Sequence, residues 1–308
     1  MSVQPPATTV PSPVRVWLYR WSQRHLHWFF VGPALLTILL VAIYPMLYST
    51  VLAFFRVSFD ARQRPFVWFE NFRWILGDQD YWIALGNTLV YVCFSVVGSF
   101  LVGFGLALLL RRVQLGRSWI RLILLLPLTI APMVVGLTWN WMFDPLFGLV
   151  NWFFTTLGLP PQTWLAQTST ARTVVILVDI WQWFPLIFLI MDAGLAGLPQ
   201  APYESARLEG ASEWMIFGRI TFPLLRSLIL VALLLRTVDA FRTFDLVRVM
   251  TDGGPAQTTE TLSLYLYRTA FQFNKLSRAA AGATIMLMLM SVISSFMFRF
   301  LYRQQEGR

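Results

Sequence analysis

Cysteine occurs once in these 308 residues, at Cys93, so no disulfide can form within the chain and no cysteine-rich metal site can be assembled. Cys93 falls inside an apolar run, where it reads as a small buried hydrophobe. Histidine occurs twice, at His25 and His27, both just before the first apolar run, where they read as interfacial side chains rather than ligands or catalytic bases. Charge is scarce as well. Asp, Glu, Lys and Arg make up 13% of the chain, against about 25% in soluble domains. There is no Gly-x-x-x-x-Gly-Lys-Ser/Thr phosphate loop, which excludes a nucleotide-hydrolysing domain of that type. Zinc-finger and helix-turn-helix patterns are also missing, and the net charge of +9 is not gathered into a basic domain. Anionic lipid headgroups explain that charge better than nucleic acid does. No metal site and no enzymatic centre are expected.

What fills the chain is hydrophobic residues, 57% of it, in long runs. No charge interrupts Trp28 to Phe55, nor Tyr81 to Leu110. At about 1.5 Å per helical residue, either run crosses a hydrocarbon layer of about 30 Å. The first exceeds the roughly 7–15 residues of a signal-peptide core and reads as a retained helix. The expected fold is all-α, a polytopic transmembrane bundle of about six helices. Its spans lie near 28–54, 84–110, 118–139, 171–194, 224–245 and 279–298, with tails at 1–27 and 304–308. Pro127 and Pro132 should kink the third span, since each removes a backbone donor. Between spans one and two, Trp68, Phe69, Phe72, Trp74 and Trp82 suit the headgroup level. A short interfacial helix is expected near Gly148–Leu157.

Placing both termini in the cytoplasm puts 13 of the 24 Lys and Arg inside, among them Arg15, Arg20, Arg24, Arg111, Arg112, Arg117, Arg121, Arg299 and Arg303. Ten lie outside, and Arg236 falls within the fifth span. That span is the poorly delimited one. Only 228–235 is uninterrupted and apolar, and Arg236, Asp239, Arg242 and Asp245 follow at intervals of three. Neighbours can pair across one turn. Three-residue steps drift about 60° each, so the four cannot share one narrow stripe. An ion in hydrocarbon costs at least about 2.5–3.5 kcal/mol, so the segment should face the bundle interior or a wet cavity. Asp179, beside Trp181 and Trp183, makes the same demand on the fourth span. Two readings stand: structural ion pairing between helices, or a polar midplane site or gate. A carboxylate near Trp rings suits a sugar, which offers apolar faces and hydroxyl donors.

Residues 199–223 form the longest polar, helix-prone stretch outside the spans. Pro199 and Pro202 suit a helix start. Gly210 permits a turn, Ser212 can cap a second short helix over 213–220, and Pro223 should stop it before the next span. The result is an elbow of two short helices along the membrane face. Glu204, Arg207, Glu209 and Glu213 alternate with Tyr203, Ala206, Trp214 and Phe217. A helix lying on lipid prefers Lys and Arg on its polar face. The three glutamates therefore favour a docking element for a soluble protein.

This stretch resembles the cytoplasmic "EAA" loop of binding-protein-dependent ABC importer permeases. The family pattern is Glu-Ala-Ala, three residues to Gly, then a spaced Ile-x-Leu-Pro. The chain carries Glu204, Ser205, Ala206, Gly210, Ala211, Ile220 and Pro223, departing mildly at Ser205, Glu209 and Phe222. The resemblance extends along nearly the whole chain. Gly86-Asn87-Thr88, Asp239-Ala240-Phe241, Thr251-Asp252-Gly253-Gly254-Pro255 and Tyr267-Arg268-Thr269-Ala270-Phe271 are similar to the six-span carbohydrate branch, which also handles glycerol phosphates.

The resemblance implies an assembly. A companion permease subunit shares the pathway in the bacterial inner membrane, two cytoplasmic ATPase subunits dock on the elbows, and an extracytoplasmic solute-binding protein delivers the solute. ATP and Mg would be bound by the ATPase subunits, with no cofactor in this chain. Tyr203, Glu204, Ala206, Gly210, Ala211, Trp214 and Phe217 are the expected ATPase-coupling residues, with local capping and turn formation as the plainer role for Glu204 and Gly210. Asn87, Asp179, Trp183, Arg236, Asp239, Arg242 and Asp245 are the expected pathway residues. A neutral disaccharide leads as solute and glycerol phosphate or another polyol follows; a carrier working without ATP and a membrane scaffold are the remaining alternatives.

Overall fold

Hydrocarbon leaves a spanning segment no partner for its backbone but itself, so a long charge-free run must close its hydrogen bonds internally as a helix. The computed structural model describes residue 28, residues 30–57 and residues 63–302. The tails expected at 1–27 and 304–308, with His25 and His27, lie outside the described residues.

Among the described residues five helices are long and apolar enough to span: α1 (Phe30–Leu52), α3 (Gln79–Leu110), α7 (Thr168–Ala196), α9 (Glu213–Phe241) and α11 (Leu276–Tyr302). The short α2 (Glu70–Gly77) precedes α3. The sixth span is broken. It comprises α4 (Arg117–Leu125), a 3-10 turn at Leu126–Thr129 and α5 (Pro132–Met142), with a bend of 95° between the two halves. The expected kink is thus a full break. A residue before proline is driven out of the α region; Ala131, before Pro132, is extended at φ −61° and ψ 139°. A short helix, α6 (Leu149–Thr156), forms where one was expected. Among the described residues the β pairing is one isolated bridge, Phe55 with Phe66. The protein is an all-α, multi-pass membrane bundle.

The packing centre is α3 against α7. Gly103 sits at a close approach of the two backbones: a Cβ there would lie 2.6 Å from the Phe184 carbonyl oxygen and 2.8 Å from Ile187 Cβ. Phe104, Ala107, Ile187, Phe188 and Met191 fill the surrounding layer, closed by Ile229 and Ala232 from α9. Overpacking such a contact costs about 1–3 kcal/mol. Gly103→Ala should therefore lower the yield of monodisperse protein in detergent several-fold. Gly86→Ala, with nothing within 4 Å of the added carbon, should leave it unchanged. Size-exclusion chromatography makes the comparison. Cys93, on the same helix, is exposed rather than buried, because Tyr91, Val92, Ser95 and Val96 around it take the packed face.

One proline behaves differently from the sequence reading. Pro223 does not stop the elbow's second helix, which continues from Glu213 through Phe241 as one element. A π turn at Phe217–Thr221 comes first, with the Phe222 N–H bonding to the Phe217 carbonyl. The widened turn moves carbonyls away from the ring that would otherwise strike residue i−4. Pro45 in α1 follows a π turn at Leu39–Ile43 in the same way. The helix that carries the fifth span therefore begins eleven residues before the expected 224, within the elbow, and ends at Phe241, four short of 245. Arg242 caps it, and Asp245 opens a separate helix, α10 (Asp245–Met250). The four charges at intervals of three do not share one helix.

Candidate functional site

Asp179 on α7 and Arg236 on α9 face each other in the bundle interior. Arg236 is wholly buried and its Nη2 donates to Asp179 Oδ2. Its Nη1 donates to Asp239 Oδ2 at 3.2 Å, one turn further along α9. The guanidinium also stands over the Trp183 ring, 5.5 Å from the centroid. Asp239 is half-buried and pairs at 3.8 Å with the exposed Arg242. The charges form a chain running from the buried interior to an open cavity. Two acids share Arg236, an arrangement its planar fork of donors suits.

The cavity has a volume of about 230 Å³. Asp179, Trp183, Asp239, Arg242 and Asp245 line it, so five of the seven expected pathway residues meet there, with Arg236 directly behind. The breaks bring them together: Pro132 from the broken span and Thr243 and Phe244 between α9 and α10 complete the wall. Sequence reasoning passed over Gln182. It sits three residues after Asp179, its Nε2 donates to the Ile130 carbonyl freed by the break at 3.0 Å, and its buried Oε1 has no partner among the described residues. A polar residue flanked by Trp181 and Trp183 in an apolar run was the available signal.

Asn87 is elsewhere. Its Nδ2 donates to the carbonyls of Gln257 (2.7 Å) and Glu260 (3.1 Å), and its Oδ1 accepts from Arg172 Nη2 at 2.7 Å. It clasps the loop 251–261, whose Asp252, Gly253, Ala256 and Gln257 have positive φ. In the same loop, burial pushes the Glu260 carboxyl above its ordinary range, opposed by Arg268 at 3.0 Å. Among the described residues no group of three or more His, Cys, Asp or Glu could hold a metal ion.

The elbow lies at the other end of α3. Its first helix, α8 (Ala201–Leu208), ends on Gly210 at φ +75°, with the Ala211 N–H reaching back to the Ala206 carbonyl. This is a Schellman-type ending, which favours glycine for its left-handed backbone. Ser212 caps α9 through the Met215 N–H, as expected. Of the expected coupling residues, Tyr203 is buried, its hydroxyl donating to Thr221 at 3.0 Å, and Phe217 packs inward against Phe104. They anchor the elbow from within. Ala206 and Ala211 are half-buried beneath the turn, while Glu204, Gly210 and Trp214 face outward. Leu208, which sequence reasoning did not single out, is 91% exposed, and Trp214 is 84% exposed. Large apolar side chains held outward beside glutamates make a surface suited to a protein partner. Just before the elbow, the buried carboxylate of Asp192 pairs with both Arg117 (3.1 Å) and Arg121 (2.5 Å) of α4, tying the broken span to the end of α7.

Comparison with known proteins identifies the family. Residues 99–307 match the family model described as binding-protein-dependent transport system inner membrane component. The chain is 31% identical to a trehalose/maltose transport system permease protein of Thermococcus litoralis, over 90% of this chain and 92% of that one. It is 32% identical to a sulfoquinovosyl glycerol transport system permease protein of Agrobacterium fabrum, over 87% of this chain and 88% of that one. In fold, it matches a chain from the crystal structure of a bacterial ABC transporter involved in import of the acidic polysaccharide alginate. The TM-score is 0.82 at 24% identity, covering 93% of this chain and 98% of that one. The chain belongs to the binding-protein-dependent transport system inner membrane component family, the membrane-spanning permeases of ABC importers.

Proposed function

We propose that this chain is one of two permease subunits of an ATP-driven importer and forms half of the pathway for a neutral sugar, with a disaccharide such as trehalose or maltose as the leading solute. The observation that carries this reading is the cavity at the two helix breaks, in the broken span and between α9 and α10. At about 230 Å³ it falls below the roughly 300–1,000 Å³ of complete ligand sites, as half of a shared site should. Its carboxylates accept hydroxyl hydrogen bonds, and Trp183 offers a ring face. Three acids stand against Arg236 and Arg242, an excess of negative charge that repels a phosphate. The trehalose/maltose permease among the relatives points to the same class of solute.

In this reading both termini and the elbow lie in the cytoplasm. Two ATPase subunits, which bind ATP and Mg, grip Glu204, Leu208 and Trp214, and an extracytoplasmic binding protein delivers the sugar. The chain itself conducts and does no chemistry. Uptake into membrane vesicles containing the whole importer and its binding protein tests the proposal. Saturable, ATP-dependent accumulation of labelled trehalose or maltose is expected, with glycerol 3-phosphate excluded. Accumulation of glycerol 3-phosphate that depends on Arg242 would reassign the solute. Uptake driven by an ion gradient without ATP would overturn the importer reading altogether.

A further inference from the structure

A cavity of about 690 Å³ opens beneath the elbow, between the end of α3 and the start of α9. Its wall is apolar, made by Leu108 and Leu109 of α3 and by Trp214 and Phe217 of α9. Its rim is basic. Arg111 and Arg112 stand at the end of α3, and neither has an acidic partner among the described residues. The Arg111 guanidinium lies over the buried Tyr203 ring, 5.0 Å from its centroid, which holds the charge at the cavity instead of releasing it to solvent. A third arginine of the lining, Arg207, is compensated by Glu213 at 3.7 Å. The lining therefore carries two uncompensated positive charges above an apolar floor.

We infer that this cavity binds an anionic phospholipid, with its phosphate between Arg111 and Arg112 and one acyl chain along Leu108, Leu109 and Phe217. Three features on the molecule select that occupant. The two charges match a phosphodiester, and basic pockets between spans at the membrane face hold such headgroups. Leu108 and Leu109 close α3, an apolar helix long enough to span a bilayer, which brings them within reach of acyl chains at the membrane face. The volume far exceeds what inorganic phosphate would use, a single water occupying about 30 Å³, and the ion alone would leave the apolar wall uncovered. The lipid would sit between the last turn of α3 and the elbow, wedging the docking surface at a fixed height. The leaflet that supplies it rests on the proposed cytoplasmic placement of the elbow; the binding itself does not.

The test is lipid retention by the full chain purified with its importer partners in detergent, titrated with phosphatidylglycerol or phosphatidylcholine and read by native mass spectrometry. Wild type is expected to prefer phosphatidylglycerol. The double variant Arg111→Gln, Arg112→Gln should lose about 30-fold in its affinity, two basic residues at about 1 kcal/mol each. Arg111→Lys, Arg112→Lys should retain most of it, and Arg64→Gln, in the connection between α1 and α2, all of it. Leu108→Trp fills the wall with both arginines in place and should lower retention comparably, so a double variant that fails to fold leaves the inference open to refutation. Equal retention by wild type and the glutamine variant overturns it, as does equal preference for the two lipids or displacement of phosphatidylglycerol by inorganic phosphate. Loss of the ATPase with lipid retention unchanged would assign the cavity to that protein instead. Neither solute nor ATP enters the measurement, so a failed sugar-uptake experiment leaves this result standing, and the reverse.

Discussion

In an Arg236→Ala variant, folded protein recovered from membranes should fall at least tenfold and solute uptake should vanish. Truncating Arg236 leaves Asp179 buried without its cation and Asp239 with only the exposed Arg242. Removing one partner of a buried pair costs about 3–5 kcal/mol, a large part of a protein's total stability of about 5–15 kcal/mol. The informative comparison is with the double variant Asp179→Leu, Arg236→Met. Replacing a buried ion pair by apolar residues of similar volume is often neutral or stabilising, so folded yield should recover. Uptake should not, because the carboxylate facing the cavity and the anchor of Asp239 are both gone. Recovery of uptake together with yield would show that the pair only holds α7 to α9, and the polar-site reading would fall.

The second large effect concerns the elbow. Gly210→Val should reduce the ATPase that co-purifies with the permease about tenfold while leaving membrane insertion intact. No atom lies within 4 Å of a carbon added at Gly210, so the harm is conformational and not steric. A side chain at φ +75° costs about 1–2 kcal/mol, most for a branched one. Relaxing that strain swings α8 away from α9 and separates Leu208 from Trp214. Asparagine tolerates the left-handed region, so Gly210→Asn should keep most of the ATPase. Equal loss with valine and asparagine would mean that a partner packs on the glycine itself. Unchanged co-purification and uptake with valine would remove the elbow from the coupling reading.

The spans and the elbow were legible in the sequence because each has a local signature: a charge-free run of known length, or a glycine and a serine at helix-ending and helix-starting positions. What escaped depends on neighbours. Pro223 reads as a stop, yet a π turn absorbs it, and no local rule distinguishes the two. The end of α9 at Phe241 was hidden because Arg242 and Asp245 continue a three-residue rhythm that a helix could also carry; the break appears only where Thr243 and Phe244 face the cavity. Asp179 and the charges after it were found through the cost of burying ions. Gln182 carries no charge and gave no such warning. Asn87 was grouped with the pathway by its motif, whereas its amide closes hydrogen bonds to a loop 170 residues away. Leu208 looked like an ordinary apolar residue until the fold turned it outward.

The Asp179–Arg236 contact also constrains how the protein is made. The two residues are separated by 57 positions in the chain. At about 5–20 residues per second, the carboxylate waits roughly 3–11 seconds on the ribosome's clock before its cation is synthesised. During that interval α7 cannot be released alone into lipid without the insertion cost of an unpaired ion. Biogenesis must therefore retain α7 within the translocation machinery, or against α3, until α9 arrives, so that the helices leave as a unit.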